Sequence, residues 1–376
     1  MTLSAGRLVV VRLCALLGVL LLVACAAEKP KPTPLEPIDA KLNARTVWST
    51  RLDGVKFPLT VQARQGLFIV AASDGSVVAL DAASGQARWR GEAGTALSAG
   101  VGSDGRFAAV STRDNELVVF DAGTERWRKR LNSRTTTAPL VAGERVFVMG
   151  VDRVVVAYDA IDGRLLWRLQ RAGDALTLSQ PGVLAAYKNT LVAGQGPLMV
   201  GLDPLKGNVR WELAMANPRG TNEIERLADL VGPVLRVGDT LCVRAFQSAV
   251  ACAQADSGTL RWSRNVGGQH AVGGDAELVA GADASDRVTA WKAASGDIAW
   301  TQERFLYRGL SAPLVTPQAV LFGDAEGYVH ALARADGQPI GRFTTDGSPV
   351  VAQPVLMNGT VLVVTRNGGL HALRFD

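Results

Sequence analysis

The sequence predicts an all-β fold, an eight-bladed β-propeller of four-stranded antiparallel blades that is closed by pairing of the N- and C-terminal strands. Three observations predict it: a recurring glycine–tryptophan phrase, a hairpin in every repeat, and chain ends that complement each other. In the phrase, Trp follows Gly by four residues, at Gly85 and Trp89, Gly123 and Trp127, Gly163 and Trp167, Gly207 and Trp211, Gly258 and Trp262, and Gly296 and Trp300. Successive tryptophans lie 38, 40, 44, 51 and 38 residues apart, and a period near forty indicates one unit stacked many times.

Each repeat reads as four strands. In the first copy, residues 67–80 form two apolar runs joined by Asp74-Gly75, a dipeptide that accepts the positive φ of a tight turn. Asp81 then opens a second turn, and Trp89 lies on the strand that follows. A short apolar stretch with a proline precedes the hairpin in six of the eight copies, at Pro58, Pro139, Pro181, Pro233, Pro313 and Pro354. Because proline cannot donate a ladder hydrogen bond, this strand belongs at one edge of the blade, opposite the Trp strand.

The two ends of the chain predict how the ring closes. The last copy, 361–373, has its hairpin but stops at Asp376 without a Trp strand. Near the start, Trp48 lies on a strand with no hairpin before it. We therefore expect the N-terminal strand to complete the last blade, which removes exposed sheet edges. The seventh copy has Phe343 where Trp is expected, and the tryptophans are interpreted as packing between blades.

Composition and charge agree with a turn-rich β protein that does not bind nucleic acid. The hydrophobic content is 48%, with 40 glycines and 16 prolines. The formal charge is +5, or +3 once Arg7 and Arg12 are removed with a signal peptide. The charges are scattered and form no basic tract, so nucleic acid is not an expected partner.

The sequence contains no pattern typical of a catalytic or metal site. His330 and His371 occupy equivalent strand positions in their repeats, and His270 is isolated, so structural roles are expected for them. Residues 100–105 match G-x-G-x-x-G, but a strand follows where a dinucleotide site needs a helix N-terminus, so this stretch is interpreted as a turn. We predict no catalytic residue, no metal ligand and no cofactor.

The N-terminus predicts an exported lipoprotein. Arg7 and Arg12 precede an apolar run, 13–24, that is short for a membrane span. The run ends in Leu22-Val23-Ala24-Cys25, which resembles a bacterial lipobox. That resemblance implies that 1–24 is a signal peptide and that Cys25 becomes the first mature residue and carries lipid, including palmitate. The alternative is an ordinary buried thiol in an uncleaved anchor.

The residues after Cys25 predict the location and the tether. Ala26, rather than Asp, follows the cysteine, and by resemblance to sorting rules the protein is expected at the outer membrane, lipid-anchored on its periplasmic face. Residues 25–45 are rich in proline and are expected to form a semi-rigid tether before a propeller at 46–376. At about 3.1 Å per residue, the 21 steps from Cys25 to Thr46 could reach roughly 65 Å.

Two further cysteines fall within the predicted propeller. Cys242 and Cys252 lie on the two arms of one hairpin with the same strand parity. A cross-strand disulfide fits an oxidising periplasm, and two buried reduced thiols are the alternative. Neither interpretation gives these cysteines a catalytic role.

Two connections between blades are longer than the rest. The spacing from the Trp position to the next proline is 10 to 13 residues in four copies, but it is 14 after Trp167 and 22 after Trp211. Both connections are expected on one face of neighbouring blades, where repeat proteins often bind partners. They contain Ala175-Leu176-Thr177-Leu178-Ser179 and the segment 222–230, which carry apolar residues that a solvated loop does not need. A decorated turn packed on its own propeller is the alternative.

The lipobox, the eight repeats and the segment 223–229 together resemble the BamB family, propeller lipoproteins of the outer-membrane β-barrel assembly machinery. The resemblance implies a non-enzymatic scaffold that binds the periplasmic POTRA domains of the BamA-type barrel, and it extends to contact with nascent outer-membrane proteins. It implies partner-binding roles for residues in both connections: Leu176, Leu178, Glu225, Arg226, Leu227 and Asp229. The sequence departs from the family pattern at Ser179, where the family has Arg, and at Val231, where it has a second Asp.

Two other function classes are compatible with the repeat. A quinoprotein dehydrogenase would use the same eight-bladed repeat around pyrroloquinoline quinone and Ca²⁺, but those enzymes are longer and carry an adjacent cysteine pair that this chain lacks. An orphan propeller lipoprotein that binds other envelope components is the second alternative. Recovery of partners from detergent-solubilised envelopes would distinguish it.

Overall fold

The computed structural model describes residues 30–57, 59–171, 176–218 and 221–375, which form 32 antiparallel strands in eight four-stranded sheets. The blades are numbered in the order in which their first strands occur in the chain. Blade 1 contains β2 (Gln62–Arg64), β3 (Leu67–Ala71), β4 (Ser76–Asp81) and β5 (Ala87–Glu92), and blade 2 contains β6 (Gly102–Ser103), β7 (Phe107–Ser111), β8 (Glu116–Asp121) and β9 (Thr124–Arg130). Blade 3 contains β10 (Leu140–Ala142), β11 (Arg145–Met149), β12 (Val155–Asp159) and β13 (Leu165–Leu169). Blade 4 contains β14 (Leu184–Tyr187), β15 (Thr190–Gln195), β16 (Leu198–Leu202) and β17 (Val209–Ala214).

The remaining strands follow the same pattern. Blade 5 contains β18 (Leu230–Val237), β19 (Thr240–Ala245), β20 (Ala249–Gln254) and β21 (Thr259–Arg264), and blade 6 contains β22 (Gly273–Gly274), β23 (Leu278–Ala282), β24 (Val288–Lys292) and β25 (Ile298–Gln302). Blade 7 contains β26 (Leu314–Val315), β27 (Val320–Gly323), β28 (Tyr328–Leu332) and β29 (Pro339–Thr344). Blade 8 contains β30 (Val355–Met357), β31 (Thr360–Val364), β32 (Gly369–Phe375) and β1 (Ala44–Arg51).

Strand direction divides the ring into two faces. Each connection from a fourth strand to the next blade emerges on the same side as the turns between second and third strands, and we call this side the upper face. The lower face carries the turns between first and second strands and between third and fourth strands. The prolines that precede the first strands, such as Pro139 and Pro181, lie at the inner edge as predicted, while Pro58 falls outside the described residues.

The predicted closure is confirmed. Strand β1 pairs antiparallel with β32, with Trp48 opposite Ala372 and Arg51 opposite Gly369. The last blade therefore takes three strands from the C-terminus and its fourth strand from the N-terminus. The fourth strand begins at Ala44, two residues before the predicted boundary.

The recurring phrase forms a joint between neighbouring blades. The indole ring of a tryptophan lies against the glycine in the third-to-fourth-strand turn of the next blade, as Trp48 does against Gly85. A Cβ at Gly85 would lie 2.5 Å from Trp48 Cδ2, and the φ of +72° also requires glycine. The indole N–H donates to a carbonyl of the same turn, Ala82 O at 3.0 Å. Equivalent N–H bonds are made by Trp127, Trp167, Trp262 and Trp300. Two tryptophans differ: the buried N–H of Trp211 has no hydrogen-bond partner among the described residues, and Trp89 approaches Gly123 through its Cβ atom.

Blade 7 departs from this pattern, and the sequence-based alignment of Phe343 with the tryptophans is wrong. The register places Gly341 opposite Ala331, which is the position that Trp300 takes opposite Ala290 in blade 6. Phe343 lies two residues further on and folds back over Gly341. The third and fourth strands of blade 8 are the two chain ends, so no turn exists there to receive an indole ring.

The N-terminal segment is held against the propeller before β1 begins. The amides of Lys41 and Leu42 donate to Ile340 O at 2.8 and 2.9 Å, and the amide of Thr33 donates to Leu306 O at 2.9 Å. Residues 33–42 therefore do not act as a free spacer, and the reach available to the tether is shorter than the predicted 65 Å.

In blade 5, Cys242 and Cys252 are directly opposite each other on β19 and β20 and are joined by a disulfide. Both cysteines are buried and pack against Trp262 and Trp291. This bond links two strands that are already paired, so it reinforces one hairpin and leaves the joints between blades to other contacts.

Two glycine substitutions can separate the contribution of Trp48 packing from that of backbone strain. Gly85→Ala should lower the free energy of unfolding by about 1–3 kcal/mol more than Gly359→Ala, because the new methyl group overlaps the Trp48 ring. Gly359 is the matched control, since it has a similar φ of +76° and open space around its Cβ position. Denaturant unfolding of both variants gives the two values, and the extra cost should disappear in a Trp48→Ala background. Equal losses of unfolding free energy for the two variants would mean that Trp48 does not pack against Gly85.

Candidate partner-binding surface

The two long connections meet on the upper face of blades 3 to 5. One connection runs from β13 to β14 and the other from β17 to β18. We call 176–182 the short connection and 221–229 the long connection. They adjoin the turn between β11 and β12, at 150–154, so three separate stretches of chain form one surface.

Asp229 ties these stretches together. Its Oδ2 accepts the backbone N–H of Leu178 at 2.8 Å, and its Oδ1 accepts Nη2 of Arg153 at 2.9 Å. The same guanidinium donates to Leu176 O at 3.2 Å. The side chains of Asp229 and Arg153 are each only 16% exposed, so this pair is shielded from water more than a surface ion pair is. The short connection is therefore held in place by the long one.

The long connection contains a capped turn. Asn222 Oδ1 accepts the backbone N–H of Glu225 at 2.9 Å, and the Glu225 carboxylate reaches back to the N–H of Thr221 at 2.7 Å. This reciprocal arrangement resembles a helical capping box. The backbone N–H of Thr221, followed by its hydroxyl, holds the pKa of the Glu225 carboxyl below its usual value. The stabilisation is thus present at neutral pH and is lost only as the pH falls through that lowered pKa.

The surface presents apolar side chains to solvent. Ile224, at the tip of the long connection, is 77% exposed, and Leu176 is 37% exposed. Leu178 is half-buried and lines a small cavity of about 40 Å³. Exposed aliphatic side chains on two connections with fixed geometry are more suited to contact with another molecule than to solvation.

The structure brings the predicted residues to one surface but gives them different environments. Glu225 is exposed, while Arg226 and Leu227 are half-buried in the capped turn. Both carboxylate oxygens of Asp229 face inward to Leu178 and Arg153. Ala175 and Cys25 lie outside the described residues.

Sequence reasoning missed Arg153, because 76 residues separate it from Asp229 and no spacing pattern connects them. Ile224 was within the segment that the sequence singled out, but nothing in the sequence marked it as the exposed apolar residue of that segment.

The surroundings of Val231 and Ser179, the two departures from the family pattern, differ from each other. Val231 is buried and forms a backbone bridge to Gly182, so an ionised side chain at this position would lose its hydration. Ser179 is exposed, and its hydroxyl lies 3.5 Å from Nη2 of Arg134, which comes from the connection between blades 2 and 3. A guanidinium is therefore present beside position 179 even though the residue itself is a serine.

The inner edges of the blades surround a central channel of about 830 Å³. Its polar lining includes Lys56, Gln269, His270, Gln353 and Arg366. None of the described residues that line it is an aspartate or a glutamate. In the described parts of the chain, no three His, Cys, Asp or Glu side chains are grouped so that they could hold a metal ion. The same parts contain no helix long and apolar enough to cross a membrane.

Removal of the Asp229 carboxylate should loosen the short connection. Asp229→Ala leaves the Leu178 amide without its acceptor and removes the carboxylate partner of Arg153, which should cost about 1.5–3 kcal/mol of stability. Faster hydrogen exchange at the Leu178 amide would report the local change. Glu223→Ala, which removes an exposed carboxylate from the same connection, is the control and should leave that exchange rate unchanged. Unaltered exchange at Leu178 in Asp229→Ala would mean that the ion pair does not position this connection.

The chain resembles known proteins both in sequence and in fold. The sequence profile of the family described as outer membrane protein assembly factor BamB matches residues 43–302. The outer membrane protein assembly factor BamB of Bordetella pertussis is 33% identical over 370 residues, covering 96% of this chain and 95% of that protein. The crystal structure of BamB from Moraxella catarrhalis, at 23% identity, superimposes with a TM-score of 0.79 over 88% of this chain and 100% of that one. Quinohemoprotein alcohol dehydrogenase from Comamonas testosteroni shares the fold at 16% identity, with a TM-score of 0.68 over 88% of this chain and 76% of that one. The chain belongs to the BamB family of outer membrane protein assembly factors.

Proposed function

We propose that this protein is a non-enzymatic scaffold subunit of the machinery that assembles β-barrel proteins in the outer membrane. Membership of the BamB family supports the general role. The observation that carries the specific proposal is the exposure of Leu176 and Ile224 on connections whose geometry Asp229 and Arg153 fix. A surface that is already ordered loses less conformational freedom on binding, so a larger part of its contact energy contributes to affinity.

The proposed partner is the periplasmic POTRA region of a BamA-type barrel protein, with nascent outer-membrane proteins as further partners. Leu176, Leu178, Glu225, Arg226 and Leu227 would contact the partner. Asp229 has a different role in this proposal, because its carboxylate is engaged within the chain. It positions Leu178 and the Leu176 carbonyl rather than reaching the partner itself.

The alternative of a decorated turn explains part of this geometry. Hydrogen bonds from Asp229 to Leu178 and Arg153 are what a turn packed on its own propeller would require. Such packing would not require Ile224 to remain 77% exposed at the tip of a capped turn. That exposure favours a binding surface.

A quinoprotein-type activity is less well supported by the residues around the channel. Calcium is bound by carboxylate and carbonyl oxygens, but no carboxylate is present among the described residues that line the channel. The two cysteines of the propeller are ten residues apart and bonded to each other within blade 5. The donor set therefore does not fit the quinone and its calcium ion.

We further propose that the protein is anchored in the outer membrane, on its periplasmic face, through lipid on Cys25 after removal of residues 1–24. The basic and apolar pattern of that segment and the lipobox-like sequence before Cys25 support this proposal. The anchor would keep the propeller close to a membrane-embedded partner and so raise its effective concentration there.

The binding surface can be tested with a double substitution. Leu176→Ala with Ile224→Ala should abolish recovery of the barrel partner from detergent-solubilised envelopes, while the melting temperature stays close to the wild-type value. Truncation of a hot-spot residue typically costs about 2 kcal/mol or more of binding free energy, so two such losses convert a stable complex into a weak one.

The control pair is Leu205→Ala with Ile298→Ala, which removes the same two residue types from exposed positions away from this surface. It should leave partner recovery unchanged. Full recovery with the Leu176 and Ile224 variant, or a loss that occurs only together with unfolding, would refute the assignment.

The anchor has a separate test. Cys25→Ser should abolish incorporation of radiolabelled palmitate, because the thiol is the acylation site. Cys14→Ser is the control, since this cysteine lies within the segment that is expected to be removed, and labelling should persist. Palmitate that remains on the Cys25→Ser protein would contradict the lipobox interpretation.

A further inference from the structure

The segment that precedes β1 follows a defined path along blade 7. At one end, the Thr33 amide donates to Leu306 O at 2.9 Å, and Nη1 of Arg308 donates to Thr33 O at 3.0 Å. In the middle, Nη2 of Arg342 donates to Glu36 O at 2.8 Å. Further on, Lys41 and Leu42 both donate to Ile340 O. Thus, backbone groups along this segment are bonded to the blade at three separate places.

Apolar contacts reinforce these hydrogen bonds. Leu35 packs against the cluster that contains Phe305 and Leu310. Leu42 is buried in the cluster that contains Phe343 and Phe375, whose ring centroids are 5.3 Å apart. Burial of a leucine side chain contributes on the order of 1.5–3 kcal/mol, which no unattached spacer would gain.

The donor that binds Thr33 is itself held rigidly. Arg308 is buried, and its Nε and Nη2 donate to Asp324 Oδ2 at 2.9 and 2.7 Å. His330 Nε2 lies 2.9 Å from the same oxygen. The buried carboxylate fixes the guanidinium plane, and this leaves Nη1 directed at the Thr33 carbonyl.

The local sequence of blade 7 makes room for the segment. Gly341 occupies the register position of a tryptophan, and a Cβ there would lie 3.1 Å from Leu42 O. An indole side chain at this position would therefore collide with the docked chain. The absence of a side chain at Gly341 therefore allows the N-terminal segment to dock against blade 7.

Docking changes the face at which the chain leaves the propeller. Strand β1 is the fourth strand of its blade and begins at the lower face, where Lys41 and Leu42 meet the start of β29. Leu306 and Arg308 belong to the connection between blades 6 and 7, which lies on the upper face. The segment from Leu42 back to Thr33 thus carries the chain across blade 7 from the lower face to the upper face.

We infer that the docked segment turns the upper face, with its partner-binding connections, toward the lipid surface. This inference rests on the proposed anchor at Cys25. Eight residues from Cys25 to Thr33 can span at most about 29 Å. If the segment were free, the 19 residues from Cys25 to Ala44 could span about 68 Å, and either face could approach the membrane.

The docking itself is tested by hydrogen exchange on the full chain. The amides of Thr33, Lys41 and Leu42 should exchange at least about tenfold more slowly than in an unstructured peptide of the same sequence. Ile38 is half-buried and, together with Leu35, lines a small cavity against Phe305 and Arg342. Leu35→Asp with Ile38→Asp should therefore release protection at Thr33, while the wild-type melting temperature is largely kept because Leu42 and Trp48 remain. Exchange at the peptide rate at Thr33 in the wild-type protein would overturn the inference.

The orientation is tested with the lipidated protein on vesicles of phosphatidylethanolamine and phosphatidylglycerol that contain a lipid with a nitroxide headgroup. A fluorophore on Tyr307→Cys reports the upper face, and one on Gln318→Cys reports the lower face; both positions are exposed and adjoin blade 7. The upper-face label should be quenched at least about twofold more strongly, because a strand of six residues separates the faces by about 20 Å. Insertion of twelve Gly and Ser residues between Glu28 and Lys29 lengthens the tether without touching the docked segment, and it should reduce this difference.

The outcomes separate the two proposals. Failure of the wild-type protein to bind vesicles, or equal binding by Cys25→Ser, would overturn the anchor and with it the orientation. Vesicle binding that depends on Cys25, together with equal quenching of the two labels, would overturn the orientation alone.

Discussion

The propeller depends on one repeated contact, in which the indole ring of a blade lies against the turn glycine of the next blade. Each partner is needed for a physical reason. The glycine has a positive φ and no room for a Cβ, and at five of the tryptophans the indole N–H donates to a carbonyl of the neighbouring turn. Trp48 makes this contact with Gly85 and thereby connects the last blade to the first. A ring held by contacts between successive blades is stable only if it is closed, and the N-terminal strand provides the closure.

The sequence predicted the architecture because the contact repeats in it. Glycine and tryptophan at constant spacing, together with incomplete repeats at the two ends, were sufficient for the number of blades, the strand order and the closure. The glycine at the tryptophan position of blade 7 could not be predicted from this spacing. Gly341 takes the tryptophan register because blade 8 has no turn to receive an indole ring, and that follows only once the third and fourth strands of blade 8 are recognised as the two chain ends.

The candidate site was predictable to a similar degree and for a similar reason. The lengths of the connections placed it on one face of blades 3 to 5, and their composition pointed to Leu176, Leu178 and the segment before Val231. The role of Asp229 could not be predicted, because it depends on Arg153, which a turn of another blade supplies. Fold periodicity brings such residues together in space without leaving a spacing pattern in the chain. An acidic residue at a position expected to contact a partner, such as Asp229, can therefore stabilise the chain's own loops instead.

Closure and tether docking share one structural origin. A ring sealed by two chain ends must lack one turn at the sealing blade, and the preceding blade then has no surface on which to pack an indole ring. In this chain, that gap is filled by Leu42 together with Phe343 and Phe375. Once Leu42 is fixed there, the residues before it can continue along blade 7, and Arg308 holds their far end at Thr33. The contact that replaces a missing tryptophan thus also determines where the N-terminal chain leaves the propeller.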